Sequence, residues 1–191
     1  MPDAMDSDPA RAEHDYAEVA ARALRSLERA ERVEPRSILN GYRRALRVWH
    51  YPTDQTHRSW TAFVHSKTPR IATRVVTWDA AHDRTRTRDP LARAERDSLG
   101  IRLQPTLTIA DGIVPNHEFD LLLDFASRLR LPLVGFKRTL GVDGEYYGVA
   151  FDVGLCKASL EWWGNDPEAW SPLMEWAARM RQLLQRSVDE G

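Results

Sequence analysis

The chain reads as an α+β domain: a single, largely antiparallel sheet flanked by helices, with one helix at each end of the sequence. Three observations predict this. Helical spacing of apolar residues brackets the chain, at Tyr16, Val19, Ala20, Ala23, Leu24 and Leu27 and again at Leu173, Trp176, Ala177, Met180 and Leu184. Three runs rich in Val, Thr and aromatics, Leu46 to Tyr51, Ser59 to His65 and Ile71 to Trp78, follow one another across Pro-containing turns, which reads as an antiparallel meander. Glu145 to Trp163 alternates apolar with small or polar residues on either side of a glycine turn, as a hairpin does.

Residues 1–8 are acidic and proline-punctuated and read as a flexible N-terminus, leaving residues 9–191 as one domain. Asp8 and Pro9 supply an N-cap and first-turn pair for a helix that runs to Val33, where Pro35 ends it and starts a short helical piece carrying Ile38 and Leu39. The meander follows. Asp79 to Gly100 then presents about twenty residues with no apolar period, a long polar loop that is either functional or disordered, with room for a short helix around Pro90 to Glu95. Too little of it can be buried to offset its ordering entropy, so it is expected to be mobile.

Leu103 to Ile109 reads as a strand, Asp111 and Gly112 as a turn, and Asn116 as the cap of a helix whose Phe119, Leu122, Leu123, Ala126 and Leu129 face inward before Pro132. Leu133 to Leu140 reads as a further strand, turned by Gly141 to Gly144 into the hairpin. With Val153 and Gly154 as the hairpin turn, Phe151 pairs with Cys156, Val149 with Ala158, Tyr147 with Leu160 and Glu145 with Trp162, giving one nearly apolar face. The opposite face sets Asp152, Ala150, Gly148 and Tyr146 against Leu155, Lys157, Ser159 and Glu161. Its middle is a stripe of small side chains that something can approach closely. Asp166-Pro167 and Ser171-Pro172 offer two helix starts that cannot open one unbroken helix, so a short turn precedes a main helix from Pro172 to about Val188.

Composition narrows the function. Lys plus Arg number 27 and Asp plus Glu 28, and the arginines of Arg84 to Arg96 are interleaved with Asp83, Asp89 and Glu95, so no field favours nucleic acid. Cys156 is the one cysteine, which excludes an intrachain disulfide and a multi-cysteine zinc site. The N-terminus is not of secretory type and no run approaches the roughly eighteen apolar residues of a membrane span, so no membrane is expected and cytoplasmic residence follows. The preference for Arg over Lys, with abundant Ala, suggests a GC-rich bacterial source.

No phosphate-cradling glycine loop and no Gly-x-Ser-x-Gly elbow is present. His50, Asp54 and His57 near the first hairpin, with His82 and Asp83, are the residues from which a metal-dependent hydrolase would be built, although no two histidines have the spacing of ligands on one helical face. Asp152 and Glu161 share a face but lie at opposite ends of it, too far apart for paired acid/base work. No catalytic residue, cofactor or metal is therefore expected. What remains is a contact surface: Tyr146, Lys157, Glu161 and Trp163 on the small-residue face, and Asp83, Arg84 and Arg86 in the polar segment. Trp163 either reaches that face or packs on the first helix.

Ser159-Leu160-Glu161-Trp162-Trp163-Gly164, followed by Pro167, Trp170 and Pro172-Leu173, resembles the C-terminal segment of small uncharacterised bacterial α+β proteins, some of them toxin-immunity-like. The order helix, three strands, helix, two strands, helix also resembles secretion-chaperone and YbjN-like folds. These resemblances imply a non-enzymatic protein-binding module whose partner is a toxin or a secreted client. The sequence does not set its oligomeric state.

Overall fold

The computed structural model describes residues 9–33, 39–53, 55–132, 144–153, 156–164 and 168–190. Its elements are α1 (Pro9–Glu28), β1 (Tyr42–Pro52), β2 (Thr56–His65), β3 (Ile71–Asp79), α2 (Ala80–Arg88), α3 (Pro90–Leu99), β4 (Leu107–Val114), α4 (Asn116–Ser127), β5 (Glu145–Val153), β6 (Cys156–Trp163) and α5 (Ser171–Asp189). The six strands form one antiparallel sheet in the order β4-β3-β2-β1-β5-β6. The α+β class is thus correct. The meander is β1, β2 and β3, and the C-terminal hairpin joins it by pairing β5 to β1.

One face of the sheet holds the larger core. Leu46, Val48, Trp60, Ala62, Val75 and Val149 pack against Leu173, Trp176, Met180 and Leu184 of α5; Val149 and the four helix residues are the ones expected to face inward. Each fully buried large side chain of this kind contributes about 1.5–3 kcal/mol. α5 reaches from β4 across to β1, and α4 packs beside it, where Trp176 Nε1 donates to the Leu122 carbonyl at 2.7 Å. The other face is covered differently. There α1 and α2 rest on β2 and β3, burying Ala23, Leu27 and Ala30 against Phe63, Ala72, Val76 and Trp78. Arg44 donates to the Glu28 carbonyl at the margin of α1, and among the described residues no helix lies across the same face of β1, β5 and β6.

Four expectations need correction. Residues 79–100 are not a loop but the helices α2 and α3. Asp79 caps α2 by accepting from the His82 amide, Asp89 caps α3 by accepting from the Leu91 and Ala92 amides with Pro90 in the first turn, and Gly100 closes it at φ 63°. The segment lacks an apolar period because what it buries is polar: Asp83 and Thr87 are fully buried and Arg93 nearly so.

The strand expected at Leu103 to Ile109 lies instead at Leu107–Val114, and the turn expected at Asp111 and Gly112 is strand interior. Asp111 there receives a bidentate pair from fully buried Arg74, at 2.7 and 2.8 Å, while Arg74 also donates to the Val33 carbonyl beyond α1. Gly112 lets the α5 backbone come close, since a Cβ on it would overlap the Ser187 carbonyl.

The hairpin register is shifted by two residues: Tyr147 pairs with Trp162, Val149 with Leu160 and Phe151 with Ala158. An even shift keeps every side chain on its expected face. Val149 and Trp162 are buried and Tyr147, Phe151 and Leu160 pack on the core, but Ala158 is exposed because β6 is an edge strand. The side chain of Cys156 lies outside the described residues, as do Asp8, the helical piece from Pro35 to Ile38, the strand expected from Leu133 to Leu140 and the pair Asp166-Pro167. The final helix starts at Ser171 after a single 3-10 turn from Glu168 to Trp170.

Candidate functional site

The half of the sheet that no helix covers among the described residues is floored by β1, β5 and β6. Strand alternation and pairing place Arg47, Trp49 and Tyr51 of β1 beside Ala150, Gly148 and Tyr146 of β5, and these beside Ser159, Glu161 and Trp163 of β6. The expected close approach to the small-residue stripe is real and internal. The Trp49 indole lies over Gly148, where a Cβ would overlap its ring carbons, and Trp49 is buried.

Arg47 completes this arrangement. Its guanidinium carbon stands 4.0 Å from the centroid of the Trp49 ring, a cation–π stack worth about 0.5–2 kcal/mol according to its desolvation. Among the described residues the guanidinium has no hydrogen-bond acceptor and no ion-pair partner, although burial pulls its pKa below the ordinary arginine value against the opposing influence of Tyr51, Glu28 and Glu161. A half-buried planar donor fork is thus held flat with its edges unused.

A row of aromatic rings continues from Trp49. Tyr51 lies with its ring 6.4 Å from Trp49 and 6.3 Å from Tyr146, and Tyr146 lies 6.1 Å from Trp163. The Tyr146 hydroxyl donates to Glu161 Oε2. Burial pushes the Tyr51 hydroxyl up to about 12, and burial followed by the Glu161 bond pushes Tyr146 up as well, so both remain protonated donors at neutral pH. At the far end of the face Lys157 pairs with Asp152 at 3.6 Å, and Asp152 also receives Arg44 at 3.2 Å. These residues line a cavity of about 660 Å³ together with Tyr42, Arg43 and Phe63.

The hairpin candidates Tyr146, Lys157, Glu161 and Trp163 therefore share one face. Trp163 packs on Tyr146 and Gly144 rather than on α1. The three candidates of α2 belong to the architecture instead. Asp83 accepts from Trp78 Nε1, the Thr106 amide, the Thr106 hydroxyl and Arg86, Arg84 lies 4.7 Å over the Tyr16 ring, and Arg86 bonds Asp83 and Thr106. Arg47, Trp49 and Tyr51 lie on the same face and were not among the candidates read from the sequence. Their alternation along one strand was the signal, once β1 is known to lie beside the small-residue stripe.

The hydrolase cluster does not assemble among the described residues. His50 and His57 point to opposite faces: His50 stacks on Tyr147 at 4.4 Å, on the side of α5, and His57 packs on Tyr51 and Trp78, on the side of α1. His82 is exposed on α2, Asp83 is buried in its own bonds, and no group of three or more metal-ligating side chains is brought together. Asp54 lies outside the described residues. No described helix is long and apolar enough to cross a membrane. Compared with known proteins, the chain matches no family model, no curated protein and no solved structure.

Proposed function

We propose that the chain is a non-enzymatic protein-binding module that engages its partner through the uncovered face of β1, β5 and β6. The observation that carries this reading is Arg47: a guanidinium stacked on Trp49, partly withdrawn from water, with no acceptor among the described residues, at the head of a row of rings formed by Trp49, Tyr51, Tyr146 and Trp163. Trp, Tyr and Arg are the residues that dominate interface energetics, because they combine large contact area with few rotatable bonds and a polar handle. The unused fork of Arg47 matches a carboxylate in bidentate geometry, so the partner presents an Asp or Glu beside apolar surface. Lys157, Asp152 and Glu161 form the charged rim.

The mechanism is steric occlusion by a rigid sheet face. Its most specific form is neutralisation of a toxin in the cytoplasm of the producing cell; chaperone-like holding of a secreted client belongs to the same class. The test is affinity capture from the native host with wild type, Arg47→Ala, Trp163→Ala and Leu121→Ser, the last an exposed residue of α4 on the other side of the sheet. A defined protein retained by wild type and Leu121→Ser but lost from Arg47→Ala and Trp163→Ala supports the reading. Retention by both face variants, with loss on Leu121→Ser, rejects it.

A further inference from the structure

On the β4 side of α1, away from the open face, a groove of about 500 Å³ runs between the C-terminal half of the helix and the segment leading into β4. Arg22, Arg25, Arg29 and Arg32 line one wall, Pro105 and Leu107 the other, and among the described residues no Asp or Glu contributes to the lining. In a chain with 27 basic and 28 acidic residues, this concentration of one sign is local. Arg22 and Arg25, three apart, lie on one side of α1, where like charges repel by about 0.2–0.5 kcal/mol, and Arg29 and Arg32 continue the basic wall through the turn and 3-10 segment that follow the helix. The C-terminal end of a helix attracts cations in its last turn, which accounts for Arg25 but not for Arg29 and Arg32 beyond it.

The walls are fixed. Arg22 donates to Glu18 at 3.3 Å and, across the groove, to the Leu103 carbonyl at 2.7 Å, while the Thr106 amide is held by Asp83. Arg25 and Arg29 line the groove, and their side chains have no hydrogen-bond or ion-pair acceptor among the described residues.

We propose that this groove is a second binding site, for a ligand carrying two or more phosphoryl groups. Each phosphoryl brings a charge of about −1.5 to −2 and three acceptor oxygens, matching paired arginine forks in a space where the same charge as carboxylates would need several side chains. Among the described residues no aromatic ring lines the groove, so recognition is assigned to the phosphoryl groups and not to a nucleobase. The phosphoryl groups come either from a free polyphosphate or from a phosphorylated segment of another protein.

Calorimetric titration of the full chain distinguishes these cases. Sodium tripolyphosphate and a doubly phosphorylated peptide are each titrated into wild type, Arg25→Gln/Arg29→Gln and the control Arg128→Gln/Arg179→Gln, which removes the same charge from α4 and α5. Gln keeps helix propensity, and thermal unfolding confirms that each variant is folded. The expected result is saturable binding of one or both probes by wild type and control, weakened by salt, with at least a tenfold loss in Arg25→Gln/Arg29→Gln; the tighter probe names the source. Equal weakening in both double variants, or no saturable binding, overturns the site. A tetraglutamate peptide binding as tightly as tripolyphosphate overturns the phosphoryl assignment. Since Arg47 is untouched in every variant, the outcome is independent of the open-face reading.

Discussion

Replacing Asp83 by Ala is expected to destabilise the fold by about 3–5 kcal/mol, the range found when one partner of a buried charged network is removed. The side chain is fully buried and its two oxygens serve four donors: Trp78 Nε1 at 2.8 Å, the Thr106 amide at 2.8 Å, the Thr106 hydroxyl at 2.7 Å and Arg86 at 2.9 Å. Truncation strands the Trp78 and Thr106 N–H groups, at about 1–3 kcal/mol each. Arg86, about one-third exposed, can turn to water and adds little. Asp83→Asn is milder, because the amide oxygen can take the place of Oδ2 and keep both N–H donors while the Thr106 hydroxyl reverses its role; about 1–2 kcal/mol is expected. Urea denaturation measures both, and the Ala variant should also lose roughly 6–20 °C in Tm for a chain of this size. A loss under about 1 kcal/mol in Asp83→Ala, or equal losses in the two variants, would refute the assignment of this network as what orders α2 against β3 and β4.

Three further outcomes follow from the same geometry. Gly148→Val should destabilise by about 1–3 kcal/mol or more in urea denaturation, since its side chain would occupy the space of the Trp49 indole. Asp111→Ala should cost about 3–5 kcal/mol by leaving Arg74 buried and without its carboxylate, whereas Arg74→Met combined with Asp111→Leu should recover most of that loss. Burial, and then Arg181, depress the His50 pKa despite Glu145, so the unfolded chain binds the proton more readily; stability is fully present above about pH 6.5 and falls as the pH drops below it, and His50→Gln should flatten that slope in denaturation curves from pH 7.5 to 5.

The legible parts of the fold are those set by local periodicity. α1 and α5 carry unbroken helical stripes, and the meander carries three short β-rich runs, so each was readable from its own residues. The hairpin faces were readable even though the register slipped, because only an odd shift exchanges them. α2 and α3 were hidden by their buried polar residues, Asp83, Thr87 and Arg93, which look like a solvated loop until Trp78 and Thr106 are placed beside them. Asp111-Gly112 has turn chemistry, but Arg74 and the close α5 backbone override it. At the site, Tyr146, Glu161 and Trp163 came from alternation within one hairpin. Arg47 and Trp49 depended on the pairing of β1 with β5, a contact between segments about a hundred residues apart in sequence that no local pattern encodes.

The central claim is that the open face of β1, β5 and β6 is where a partner protein sits. Site-specific photo-crosslinking in the native host tests it most directly, with the reactive amino acid placed at Tyr146 on that face and, separately, at Leu121 on α4. The account predicts one discrete protein adduct from position 146, abolished by Arg47→Ala in a variant that remains folded, and none from position 121. An adduct from position 121 alone, or one from position 146 that survives Arg47→Ala undiminished, would contradict it.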